Sequence, residues 1–208
     1  MHKKKFFFIV FEGTEGTGKS YQIDKLYRSL KKLRYKVIKT REPGGSKTAE
    51  LIRKVIFSNK SIQFDKLTDF YLMNAARNEH VKKTILFAKK NKHILISDRF
   101  TDSTYAYQVI GNKIDKKINL TNQKYILKNL KPNLTIVLKA NMKAILARIK
   151  KRKKNNKFDK LKQSFYRKAQ NAYLSLAKKN PNYFVFDSSE NTPLLERKIF
   201  NLVVKKIN

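Results

Sequence analysis

The stretch "FEGTEGTGKS", residues 11–20, decides how this chain is read. Only 6 glycines occur in 208 residues, and three of them, Gly13, Gly16 and Gly18, fall here. The apolar run Phe6-Phe7-Phe8-Ile9-Val10 just before it suits a strand buried on both faces. Just after it, Ile23, Leu26, Tyr27, Leu30 and Leu33 recur at helical spacing. A strand, a glycine turn and a helix N-terminus in that order form a cradle of backbone N–H groups, into which a bulky anion can press against the main chain.

The stretch fits G-x-x-x-x-G-K-[ST] in full, from Gly13 to Ser20. In that arrangement the amides of Gly13, Thr14, Glu15, Gly16, Thr17 and Gly18 wrap a polyphosphate. Lys19 neutralises its β and γ oxygens, and Ser20 offers its hydroxyl to Mg²⁺. The anion is therefore a nucleotide's polyphosphate tail.

Strands and helices alternate along the rest of the chain. Strands are expected at 6–11, 37–40, 93–97, 134–138 and 183–186. Helices are expected at 21–33, 48–56, 68–88, 121–130, 142–151 and 164–178 and from Pro193 onward. This order predicts an α/β three-layer sandwich in which a five-stranded parallel sheet is covered by helices on both faces. Nothing marks a linker or a repeat, so residues 1–208 read as one domain, with a mobile cover at about 148–162 where the apolar period breaks. The absence of cysteine excludes disulfides, thiol catalysis and Cys-based zinc sites, and it is compatible with a cytoplasmic protein. No apolar run approaches the ~20 residues of a membrane span.

The formal net charge of +34 invites a nucleic-acid reading. Lysines are spread over nearly every segment and no aromatic residues interleave the basic run at 148–157, which favours a solvated charge excess over a specific nucleic-acid partner. Only ten of the 49 basic residues are arginines. Arginine is the side chain suited to bidentate phosphate contact, so those next to strand ends carry more information. Arg41, in Thr40-Arg41-Glu42-Pro43-Gly44-Gly45, follows the second strand, either in a plain surface turn or aimed at a second phosphate. Asp98-Arg99 follows the third. A carboxylate there can hold Mg²⁺ while its neighbour meets phosphate oxygens.

Taken in order, "FEGTEGTGKS", "TREPGG", "AAR", "SDRF" with "STYAYQ", and "KPNLTIVL" resemble the thymidylate kinase family from Phe8 to about Ala177. The resemblance implies phosphorylation of dTMP to dTDP by ATP and Mg²⁺ on a homodimeric nucleoside monophosphate kinase fold. It implies that Arg41 and Arg99 hold the acceptor and transferring phosphates, that Asp98 acts at the magnesium, and that Glu15 contacts the sugar 3′-hydroxyl. Pro43 would line the acceptor site, Arg77, Thr104 and Gln108 would read the thymine, and Tyr107 would stand against C2 of the sugar. Arg148, Arg152 or Lys153 would reach the ATP phosphates from the cover, because the phosphate loop has no arginine of its own. Met73 stands where the family carries an aromatic residue against thymine, which implies looser base binding and keeps a kinase of another deoxynucleotide or deoxynucleoside as the alternative. The cover reads Asp159-Lys160 in place of Asp-Arg. Lys139 and Asn133 replace aspartates beside the fourth strand.

Overall fold

The computed structural model describes residues 5–58, 64–151, 157–189 and 192–207. Five strands, β1 (Phe7–Glu12), β2 (Val37–Arg41), β3 (Ile94–Asp98), β4 (Leu134–Lys139) and β5 (Tyr183–Asp187), form one parallel sheet in the order β2-β3-β1-β4-β5. The expected architecture and strand set are borne out, with boundaries shifted by about a residue. All six residues of β1 are buried because the strand is central and covered on both sides. Alternation sorts them by face. Phe7, Ile9 and Phe11 point toward α1 (Lys19–Lys32) and α9 (Thr192–Ile207), packing with Ile23, Leu26, Leu30, Leu195, Ile199 and Val203. Phe8 and Val10 point the other way, into a cluster with Leu95, Phe100, Val81 and Ile85.

Register puts the chemistry on one edge. Phe11 pairs with Asp98 and with Ile136, and Arg41 pairs with Asp98, so β1, β2 and β3 run out at the same level. The loops leaving them, Gly13–Gly18, Glu42–Gly45 and Arg99–Phe100, are thereby neighbours at the carboxyl end of the sheet, where open parallel sheets bind ligands.

Helices α2 (Lys47–Phe57), α3 (Lys66–His80) and α8 (Gln163–Lys178) lie close to their expected positions. Ser46 caps α2 by accepting from Ala49 N at 3.2 Å. The helix expected to end at 88 is in fact α3, a π-helical stretch Val81–Ile85 and a short α4 (Leu86–Lys90) in succession. Helix α6 runs Lys116–Leu127 rather than 121–130 because Asp115 caps it, accepting from Lys117 N and Ile118 N. It stops where Lys128 turns to a φ of 52°. Helix α7 covers Met142–Lys150. No helix is expected from the sequence at 101–111. There, α5 (Thr101–Thr104) runs into a π-helical stretch, Tyr105–Gly111, despite β-branched and aromatic residues of modest helix propensity. Packing against α8 overrides that propensity: Ala106 and Tyr107 share a cluster with Ala169, Ala172 and Tyr173.

Candidate active site

The glycine loop wraps Lys19, which is buried at 7% exposure and donates to Gly13 O at 2.9 Å and Thr14 O at 2.8 Å. Thr17 Oγ1 also donates to Thr14 O, at 2.8 Å. Gly13 cannot be another residue: its φ is +139° and a Cβ would lie 2.3 Å from Leu138 O. Gly18, at φ +81°, opens α1 in the left-handed region and faces empty space. Burial, and next the charge of Arg99, push the Lys19 ammonium down to about 8, against Asp98, Glu15 and Glu12, which pull it up. An incoming polyphosphate supplies the negative charge that restores its full protonation.

The metal expectation was Ser20 with Asp98. Ser20 Oγ donates to Asp98 Oδ2 at 3.0 Å, so the loop and the end of β3 meet at that point. Among the described residues, Asp98 Oδ1 is buried with no hydrogen-bond partner, and the same holds for Thr14 Oγ1 of the loop. Two orphaned oxygens at the phosphate cradle suit a hard cation with a polyphosphate. Among the described residues, no cluster of three or more His, Asp or Glu forms a metal site of its own, so a cation here would take the rest of its ligands from phosphate and water.

Beyond the loop lies a cleft of about 310 Å³ lined by Glu15, Arg41, Pro43, Met73, Arg77, Arg99, Thr104, Tyr107 and Gln108, all expected, and by Arg53, Phe57 and Phe158, which were not. Arg99 binds the two halves of the site together. Its Nη2 donates to Glu15 Oε1 at 2.6 Å, and its Nη1 donates to Gly13 O at 3.0 Å, Ser103 Oγ at 3.0 Å and Tyr173 OH at 3.2 Å. Tyr107 OH donates to the other oxygen of Glu15. Burial raises the Glu15 pKa, but the charges of Arg99 and then Lys19 outweigh it and hold the carboxylate below its usual value. Glu15 thus remains an anionic acceptor at the cleft wall.

Arg41 is half-exposed and pairs with Glu50, Nε to Oε1 at 3.1 Å and Nη2 to Oε2 at 2.8 Å. Arg77, expected to face the base, is buried at 3% exposure and anchored on two sides. Its Nε donates to Glu42 Oε2 at 2.8 Å and its Nη2 to Phe100 O at 3.0 Å. Glu42 Oε1 lies 2.9 Å from His80 Nδ1, whose Nε2 lies 2.8 Å from Thr40 Oγ1. A buried chain of polar groups therefore fixes the Arg77 guanidinium in the cleft wall. Gln108 Nε2 donates to Asp69 Oδ2 at 3.4 Å, and Met73 lies at 7% exposure.

Arg148 lies against the phosphate loop. Its Nη1 donates to Gly16 O at 3.2 Å and its Nη2 to Ser188 O at 2.6 Å. Arg152 and Lys153, the other cover candidates, lie outside the described residues. Arg53 is among the residues sequence reasoning missed: Nη1 donates to Pro43 O at 2.7 Å and the guanidinium lies 4.8 Å from the Phe57 ring centroid. Its signal was present, since Glu50, Arg53 and Phe57 share a helix face at i, i+3 and i+7 just after the Pro-Gly-Gly turn. Asn133 Oδ1 accepts from Phe8 N at 2.8 Å, and Lys139 pairs with Asp187 at 3.6 Å.

The family profile described as thymidylate kinase matches residues 11–199. A thymidylate kinase of Mycoplasma capricolum subsp. capricolum is 36% identical over 203 residues, covering 96% of this chain and 95% of the relative. One from Acholeplasma laidlawii is 32% identical over 203 residues, with 96% and 100% covered. A crystal structure of thymidylate kinase from Ehrlichia chaffeensis superposes with a TM-score of 0.77 at 28% identity, over 98% of this chain and all of that one. With a glycine-loop cradle and an arginine-lined cleft converging on one sheet edge, and with likeness of this extent in sequence and structure, the chain belongs to the thymidylate kinase family.

Proposed function

We propose that this chain transfers the γ-phosphoryl group of ATP to the phosphate of dTMP, yielding dTDP and ADP. The observation that carries the reading is the junction of two anion sites at Asp98 and Arg99. Asp98 is bonded to Ser20 of the donor cradle, and Arg99 to Gly13 and Glu15 on one side while it lines the acceptor cleft on the other. Ser20 and Asp98 would hold Mg²⁺ together with the phosphates, where the ion would supply neutralising charge for the transferring group. An oxygen of the dTMP phosphate attacks the γ-phosphorus in line as the bond to the ADP oxygen breaks. Such a transfer needs position and charge more than it needs a nucleophilic side chain.

Lys19 holds the β and γ oxygens, Arg148 approaches from the side of Gly16, and Arg41, Arg53 and Arg99 supply cations at the acceptor phosphate end. Glu15 has lone pairs left after its bonds to Arg99 and Tyr107, enough to accept from the 3′-hydroxyl. The Tyr107 ring, whose hydroxyl sits on that carboxylate, then flanks the neighbouring sugar carbon and leaves little room for a 2′-hydroxyl. Arg77, Thr104 and Gln108 face the base. The chain acts as one domain, with the segment at about 148–162 as cover.

A homodimer is part of this reading. On the paired helices α2 and α3, Leu51 (59%), Val55 (48%), Leu67 (40%) and Tyr71 (48%) expose large apolar side chains, a surface suited to a second copy. A cytoplasmic location also belongs to it, since ATP and magnesium are supplied there. Among the described residues, no helix is long and apolar enough to cross a membrane.

The test is coupled turnover with dTMP, dUMP, dCMP and thymidine, with and without magnesium. The expected result is dTDP formation that requires magnesium and is fastest with dTMP. In Lys19→Ala, kcat/KM should fall by at least about 100-fold. A clear preference for thymidine or dCMP would replace the acceptor assignment by the alternative that Met73 favours, a kinase of another deoxynucleotide or deoxynucleoside.

A further inference from the structure

The 3₁₀ turn Lys157–Lys160 places a ring beside the sugar-facing wall of the cleft. Phe158 lines the cleft, half-buried, with its centroid 5.3 Å from that of Tyr107 at an interplanar angle of 82°. It also meets Phe57 edge-on at 5.9 Å and 76°. From another side, Phe165 of α8 approaches Tyr107 at 5.6 Å. Tyr166 OH donates to Phe158 O at 2.6 Å and ties the turn to α8. The Arg99 guanidinium lies 5.2 Å from the Tyr107 ring centroid, and the phenol hydroxyl is spent on Glu15.

Edge-to-face contacts of this kind fix ring orientation as well as burying area. Tyr107 itself belongs to a π-helical stretch, and its ring is held in place by neighbours from α8 and from the turn after α7. Phe158 and Phe57 also join that turn to the end of α2, whose Arg53 reaches Pro43 of the acceptor loop. The turn after α7 therefore touches both Tyr107 and the end of α2 through aromatic rings.

We propose that Phe158 is a positioning residue for the acceptor sugar: it holds the Tyr107 ring against the place of C2′ and so sets the discrimination between deoxyribonucleotide and ribonucleotide monophosphates. The proposal rests on the acceptor assignment above. It makes the segment that follows α7 a part of substrate selection.

The test uses the full-length protein. Wild type, Phe158→Ala, Phe158→Leu and Phe158→Tyr are compared for kcat and KM with dTMP and with ribothymidine 5′-monophosphate, for KM with ATP, and for melting temperature. Phe158→Ala should lower the ratio of kcat/KM for deoxy over ribo acceptor by about tenfold, mainly by raising KM for dTMP and lowering it for the ribonucleotide. KM for ATP should stay within twofold. Phe158→Leu, which keeps apolar volume, should lose about threefold, and Phe158→Tyr should keep most of the selectivity. An unchanged ratio in any folded Ala or Leu variant overturns the proposal, as does an equal loss with both acceptors. If wild type makes no dTDP, the acceptor assignment itself fails, which is a separate outcome.

Discussion

Glu12 closes β1, sealed from solvent, and accepts from Phe100 N at 2.8 Å, Ser103 N at 3.3 Å and Ser103 Oγ at 2.7 Å. Burial is the main reason its pKa rises from 4.5 to about 7, with the nearby Asp102 carboxyl adding to it and Ser103, Arg99 and Phe100 N opposing it. A carboxyl whose folded pKa lies above its unfolded value binds a proton in the folded state that the unfolded chain has released. Stability then falls as pH rises from about 4.5 to about 7 and levels off above. The gap corresponds to about 3 kcal/mol. Glu12→Gln keeps the acceptor for Phe100 N and removes the charge. We expect it to raise the melting temperature at pH 8 by several degrees and to give no advantage at pH 4.5. Melts at both values test this; an unchanged pH slope would assign the proton to Asp102.

At the scale of elements, the strand, loop and helix at 7–32 are one unit whose two critical glycines fail for different reasons. At Gly13 an added methyl meets a backbone oxygen at 2.3 Å, and neither partner can rotate away. At Gly18 nothing lies within 4 Å, so alanine meets only the cost of the left-handed backbone, roughly 1–2 kcal/mol. Urea denaturation and ATP titration should rank the variants the same way, with Gly13→Ala losing more stability and more ATP affinity than Gly18→Ala. The reverse order would mean that the approach of Leu138 to the loop is not what fixes its shape. The π-helical stretches Val81–Ile85 and Tyr105–Gly111 follow α3 and α5, two of the helices that line the cleft, and the second itself carries Tyr107 and Gln108 into it. Such widened turns commonly mark functional sites.

Across the whole molecule, charge and apolar surface work in opposite directions. A net charge of +34 repels a second copy, most strongly at low ionic strength, while Leu51, Val55, Leu67 and Tyr71 offer it apolar area. The proposed homodimer should accordingly tighten with salt. Light scattering at 300 mM salt should give twice the 24.5 kDa of the chain, and Leu51→Glu with Val55→Glu should give the monomer. A monomeric wild type at that salt would reject the α2–α3 face as the contact. Phe8→Ala, which removes a fully buried ring packed 5.1 Å from Phe100, should destabilise the fold by about 3–5 kcal/mol without touching either nucleotide, measurable by denaturant unfolding.

Sequence alone was enough for the phosphate cradle, the five parallel strands and the residues that leave their ends, because backbone conformation there depends on neighbours a few positions away. Gly18 and the alternation of Phe7, Phe8 and Ile9 are readable in that way. Tertiary structure decided what lies across the sheet edge. Arg53 in the acceptor wall, Glu12 beneath α5, the Glu42 anchor that holds Arg77 from 35 positions away and the Phe158 ring against Tyr107 all depend on strand register and helix packing. These contacts join residues far apart in the chain, and hydrophobic periodicity, which reports which face is buried, does not specify which buried partners meet.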